Sequence, residues 1–153
     1  CAGYPNYHPK DGNPGPWVDG IIGKKEISPR FLNSMVDLKN KDNFIQSSDR
    51  CKVIIGEIEK TLPKFVAETQ GQRISLLYFD VNLYNPTLAG LRELYPLVVP
   101  NGIVAFNGYG CRPWQGEALA IEEYFQEINK PVPTLQKFPF SIHPNGYFKK
   151  TTN

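Results

Sequence analysis

Apolar and polar positions change rhythm several times along the chain, and each rhythm predicts an element. Ile74-Ser75-Leu76-Leu77-Tyr78-Phe79 is almost unbroken in its apolar character and stops at Asp80, the mark of a strand covered on both faces. After a loop over 81–85, Pro86 and Thr87 open a predicted helix. Its apolar residues Leu88, Leu91, Tyr95 and Val98 recur at spacings of three and four, and Pro100-Asn101-Gly102 is expected to end it. Ile103-Val104-Ala105-Phe106 repeats the buried-strand pattern, with Asn107-Gly108-Tyr109-Gly110 as the loop beyond. A further helix is expected over 116–128, with Ala118, Ile121, Phe125 and Ile128 on one face. Residues 134–140 and 147–151, joined through His143-Pro144-Asn145-Gly146, read as an antiparallel hairpin.

The amino-terminal part is less regular. Residues 1–30 hold five of the 14 prolines and five of the 13 glycines, too many breaks for a helix or a central strand. Residues 1–27 are therefore expected to form a loop, and Tyr4, Tyr7 and Trp17 favour an ordered lid. Ser28 before Pro29 reads as an N-cap with proline at the first helical position, and Phe31, Leu32, Met35 and Leu38 predict a helix over 29–39. Cys51-Lys52-Val53-Ile54-Ile55 reads as a short strand closed by Gly56. Residues 57–68 form a weakly amphipathic segment interrupted by Pro63.

Strand, helix, strand, helix and hairpin in that order imply an α/β fold, a single domain with two parallel strands and an antiparallel finish. With 41% hydrophobic and 21% charged residues over 153 positions, the composition suits one globular domain. The 17 basic and 15 acidic residues are interspersed, so no nucleic-acid footprint stands out. No apolar run reaches the roughly 20 residues that span a bilayer, which leaves no membrane role. Cys1, Cys51 and Cys111 are odd in number and widely spaced. That argues against a disulfide framework and for a cytoplasmic setting.

Ligands of open α/β sheets bind beyond the carboxyl ends of parallel strands. Two loops qualify: Asp80-Val81-Asn82-Leu83-Tyr84-Asn85-Pro86-Thr87 and the run from Asn107 through Cys111, Trp114 and Gln115 to Glu117. The first loop with Leu76-Leu77-Tyr78-Phe79 before it, Leu94-Tyr95-Pro96, Val99-Pro100-Asn101-Gly102 and Trp114-Gln115-Gly116-Glu117 together resemble the macrocin-type sugar O-methyltransferases. The likeness runs from about Asp11 to the carboxyl end and is strongest over 76–125. It implies the carboxyl-terminal portion of a class I, Rossmann-like methyltransferase sheet. It also implies S-adenosylmethionine as methyl donor, Mg²⁺ at an acidic site, and a hydroxylated small molecule such as a sugar as acceptor.

By that resemblance Asp80 and Asn107 take catalytic positions, and Asn82, Tyr84, Tyr109, Trp114 and Glu117 bind substrate. Asp80 is the metal ligand, with Asn82 and Asn107 standing where the family carries acidic residues, and Asn107-Gly108 replacing an acidic pair. Neutral Asn lowers metal affinity and leaves no general base. The family's glycine-rich cofactor turn has no match, because the glycines at 12, 15, 20 and 23 follow no strand; tight cofactor binding by this chain is not expected.

Simpler readings stand beside these. Asp80 caps the next segment, Asn82 and Asn107 form turns, Trp114 and Tyr84 pack, and Glu117 complements a helix dipole. His8 and His143 are solvated, and Cys111 is an inert thiol. The strand at 74–79 has a bare edge, so either the Val53–Ile55 strand docks there or two chains pair into a homodimer. Two functions compete: a methyltransferase-derived enzyme, and a non-catalytic small-ligand binding or assembly module of the same fold.

Overall fold

A computed structural model describes residues 7–12, 27–45, 48–111 and 114–151. The chain forms two compact units, 1–6 with 16–56 and 7–15 with 57–153. Most of the expected lid, including Tyr4 and Trp17, lies outside the described residues, as do the glycines at 15, 20 and 23.

In the first unit, α1 spans Pro29–Lys41. Ser28 caps it by accepting a hydrogen bond from the Phe31 amide at 3.2 Å, so the Ser-Pro start signal works as read. Asn40 secures the return of the chain: its Oδ1 accepts from the amides of Arg50 and Cys51, and its Nδ2 donates to the Cys51 carbonyl. The expected strand at Cys51–Ile55 is not formed; residues 51–55 adopt no regular structure and belong to no ladder. β-Branched composition favours extended backbone, whereas a strand also needs a hydrogen-bonding neighbour, and no described segment supplies one.

The second unit holds the sheet. The segment expected to be interrupted at Pro63 is one continuous helix, α2, Ile58–Glu68. Pro63 removes a single N–H, and the ladder closes on either side of it. β1 (Ile74–Phe79) leads into α3 (Tyr84–Leu94). That helix stops before Pro96, and a 3-10 turn at Tyr95–Leu97 follows. Val98, expected on the helix, instead begins β2 (Val98–Phe106), so Pro100, Asn101 and Gly102 lie within the strand. The cause is Pro96, which cannot continue an α-helical ladder. α4 spans Gln115–Glu127 and β3 spans Gly146–Lys149.

The sheet order is β1-β2-β3. β1 and β2 are parallel, with Leu77 opposite Val104 and Phe79 opposite Phe106. β3 runs antiparallel to β2, with Phe148 opposite Val104. The expected hairpin partner of β3 contributes one bridge, in which Gln136 and Tyr147 exchange both backbone hydrogen bonds. α3 and α4 cover the face formed by Leu77, Phe79, Val104, Phe106 and Phe148, and Leu88, Leu91, Ile121 and Phe125 fill the space between. Gly90 lets α3 approach, since a Cβ there would run into the Phe79 ring. On α4 the buried stripe is Glu117, Ala120, Ile121, Tyr124 and Phe125, while Ala118 sits at its margin.

The expectation that β1 is covered on both faces fails. Leu77 and Phe79 are buried, but Leu76 and Tyr78 on the other face are 59% and 46% exposed. An apolar run reports what a strand can bury, and among the described residues no helix covers Leu76 and Tyr78. β1 is also an edge of the sheet, and its outer side has no partner among the described residues. Val53–Ile55, the segment expected to repair that edge, forms no strand.

Candidate functional site

The carboxyl ends of the parallel strands β1 and β2 lie side by side, and the loops leaving them bring most of the sequence-predicted residues together. Asn107 joins the two strand ends. Its amide donates to the Phe79 carbonyl at 2.8 Å, and its Nδ2 donates to Asp80 Oδ1 at 2.8 Å. Its Oδ1 accepts from the Tyr78 hydroxyl at 2.9 Å. Both ends of the Asn107 amide are therefore spent in one chain, Tyr78–Asn107–Asp80. Asp80 is exposed, and its Oδ2 has no partner among the described residues. Burial, and then the negative charge of Asp80, raise the Tyr78 phenol above its usual pKa.

A second, buried group lies beside this chain. Asn82 sits in the left-handed region at φ 59°, where Asn is among the few residues tolerated, and its side chain turns inward. Glu117, in the first turn of α4, is fully buried. Neither of its carboxylate oxygens has a hydrogen-bond partner among the described residues. Gly108 makes room for both: a Cβ there would fall 2.8 Å from Glu117 Oε2 and closer still to Asn82 Oδ1. Burial drives the Glu117 pKa up to about 8; the Gly108 amide leans toward the carboxylate and opposes that rise, and the Asp80 charge adds to it. Glu117, expected to bind substrate or, on the simpler reading, to complement the helix dipole, is a nearly neutral acid inside the protein.

Tyr84 is held by other partners. Tyr84 is buried and engaged by the segment 7–12: His8 stacks on its ring at 4.6 Å, and Lys10 Nζ donates to its hydroxyl at 2.9 Å while pairing with Glu123. Asp11 fastens that segment. Its Oδ1 accepts from the Tyr84 amide at 2.6 Å, which caps α3, and its Oδ2 accepts from the His8 amide. Gly116 gives Asp11 its place, because a Cβ at 116 would collide with the carboxylate. Thus part of the expected lid is a strap over the amino ends of α3 and α4. Tyr109 packs on the core, and half-buried Trp114 precedes α4. Cys111 accepts from Asn145 Nδ2, and Arg112 and Pro113 lie outside the described residues.

Sequence reasoning missed Tyr78, Gly108 and Asp11. Tyr78 read as strand core, and a one-sided strand is its only distinguishing signal. Gly108 was noted only for the acid it lacks. Asp11 lies 73 positions from the helix it caps, and its sole local sign is the spacing from His8.

The residues present do not fit a hard divalent cation, which takes several oxygen ligands. Asn107 Oδ1 is occupied by Tyr78 and its Nδ2 faces Asp80, and no group of three His, Cys, Asp or Glu residues gathers among the described residues. Nor do they fit the methyl donor, because no glycine-rich turn follows a strand in the described residues; β1 ends in Asp80-Val81-Asn82 and β2 in Asn107-Gly108.

The macrocin O-methyltransferase (TylF) family profile matches residues 32–139, and the chain belongs to that family. Among solved structures it is similar to calicheamicin methyltransferase CalS11, with 27% identity and a TM-score of 0.81 over 97% of this chain and 56% of that one. The apo structure of CalS11, a TDP-rhamnose 3'-O-methyltransferase from calicheamicin biosynthesis, gives 29% identity and a TM-score of 0.69 over 79% and 50%. The O-methyltransferase NovP shares the fold, with 20% identity and a TM-score of 0.62 over 99% and 57%. The chain therefore spans about half the length of these relatives. No curated protein sequence matches it. No described helix is long and apolar enough to cross a membrane.

Proposed function

We propose that this chain carries the acceptor-binding part of a sugar-type O-methyltransferase domain, in which the carboxyl ends of β1 and β2 take a hydroxylated small molecule. The observation that supports this reading is the Tyr78–Asn107–Asp80 chain, which holds an exposed carboxylate with one oxygen open at the end of a parallel strand. A carboxylate so oriented accepts a hydrogen bond from a sugar hydroxyl without first reorganising. Asn107 positions Asp80. Asn82 and Glu117 stand behind it as a buried polar wall. Glu117, with its pKa near 8, is suited to share a proton at neutral pH, whereas Tyr109 and Trp114 shape the approach. The described residues offer no turn for S-adenosylmethionine, the donor the family resemblance implies, so this reading assigns them the acceptor alone. β1, with a bare edge and an exposed apolar face, pairs two chains into a homodimer.

A second reading has its own observation: neutral Asn82, Asn107 and Gly108 line the place where the resemblance leads one to expect acids. On that reading the chain is a non-catalytic small-ligand module. A thermal-shift titration with S-adenosylmethionine, with and without Mg²⁺, separates the two, because a ligand bound only by the folded state raises the melting temperature. A saturable rise with S-adenosylmethionine supports the enzyme and shows a donor site built without the glycine-rich turn; a rise with a free sugar but none with S-adenosylmethionine supports the binding module.

A further inference from the structure

A cavity of about 620 Å³ opens where β1 and β2 begin and β3 ends, at the other end of the sheet from Asp80 and Glu117. That volume lies within the range of small-molecule sites. Three cations line it, Arg73, Lys130 and Lys150, with no carboxylate among the lining residues. The four ion pairs among the described residues use none of the three.

Lys150 is fixed in place. Its Nζ donates to the carbonyls of Tyr95 at 2.9 Å, Pro96 at 3.3 Å and Val98 at 2.8 Å, and it lies 4.7 Å over the Tyr95 ring. These bonds satisfy the carbonyl end of the turn after α3, so Lys150 has a structural duty whatever else it does. They do not neutralise its charge. Burial lowers its pKa, and the neighbouring charge of Lys130 lowers it further. Two cations held together without a counter-ion repel each other, and a bound anion relieves that repulsion.

Arg73 and Lys130 are exposed and keep donors to spare: Arg73 gives one bond, to the Gln72 carbonyl, and Lys130 gives no side-chain bond among the described residues. The lining between them includes Phe125 and Leu97, and prolines at 96, 100, 131 and 133 form much of the rim. Their fixed φ angles limit what binding must freeze.

We propose that this cavity binds a small organic phosphate. Arg73 and Lys130 hold the phosphate oxygens, Lys150 supplies a fixed positive field, and the proline-rimmed floor takes the less polar part of the ligand. Arg offers a planar fork and Lys a point charge, a pairing suited to a polyvalent oxyanion.

The test is calorimetry and amide NMR on the full chain with inorganic pyrophosphate and with a nucleoside diphosphate, at fixed salt. The expected result is saturable binding with shifts at Leu97, Val98, Val99, Lys130, Val132 and residues 149–151, tighter for the nucleoside diphosphate. Arg73→Ala and Lys130→Ala should each weaken it about tenfold, the loss of one charge-assisted bond. Both residues are exposed, so these variants should fold. Absence of saturable binding, binding untouched by both substitutions, or shifts confined to 80–85 and 107–117 would overturn the proposal. Equal affinity for pyrophosphate and the nucleoside diphosphate would remove the floor from it.

Discussion

Glu117 reaches from the first turn of α4 into space that only a glycine at 108 leaves open, its Oε2 lying 2.8 Å from where a Cβ on Gly108 would stand. Gly108→Ala must therefore displace Glu117 or Asn82, both buried, and overpacking of this kind costs about 1–3 kcal/mol. Glu117→Ala removes one of the two obstacles. Urea unfolding of both single variants and the double should give a smaller total loss in the double than the singles sum to; strict additivity would show that the two residues do not share this space.

Glu117 also makes stability depend on pH. Its pKa is about 8 in the folded state against an ordinary value of 4.5, so below 4.5 both states are protonated and no penalty applies. As pH rises from 4.5 toward 8 the unfolded state releases a proton that the folded state retains, and stability falls. The full loss is on the order of several kcal/mol. Glu117→Gln should flatten that decline and melt higher than the parent at pH 8; parallel curves for the two proteins would remove the buried acid from the account.

Asp11 is the fastener of the strap. Asp11→Ala frees the Tyr84 amide at the start of α3 and the His8 amide, which should cost about 1–2 kcal/mol, the usual worth of an N-cap. Hydrogen exchange at Tyr84, Asn85 and Thr87 should accelerate in this variant. Unchanged protection there would mean that the strap does not cap the helix.

The edge of β1, unpartnered among the described residues, predicts a dimer, and Leu76→Lys should shift it toward monomer by placing a charge on the exposed face beside that edge. Sedimentation at several concentrations reads this directly. A parent protein that stays monomeric at high concentration would count against edge pairing.

How much of this was legible in the sequence depended on whether the cause was local. β1, the core of β2, α3 and α4 follow from apolar spacing, and the Ser28 cap of α1 from a dipeptide. Pro96 carried the signal that the helix stops before Val98, but the regular spacing of Tyr95 and Val98 outweighed it. The strand expected at Cys51–Ile55 and the two-sided burial of β1 failed for one reason: both depend on a neighbour, and composition states only a readiness to have one. Asp80, Asn82, Asn107 and Glu117, all expected at the strand ends, lie near one another. Their partnership was not legible, because Tyr78–Asn107–Asp80 and Gly108–Glu117 exist only once the strand ends are aligned. The burial of Glu117 had no sequence signal at all, since an acid in the first turn of a helix ordinarily faces water.

The most direct measurement is an amide NMR titration with a neutral methyl rhamnoside, whose lack of phosphate keeps it from the cationic cavity at the far end of the sheet. Saturable shifts should appear at residues 78–82 and 107–111, and Asp80→Asn should weaken them about tenfold by removing a charge-assisted hydrogen bond. An unperturbed spectrum up to high millimolar sugar, or shifts indifferent to Asp80→Asn, would contradict an acceptor site at the ends of β1 and β2.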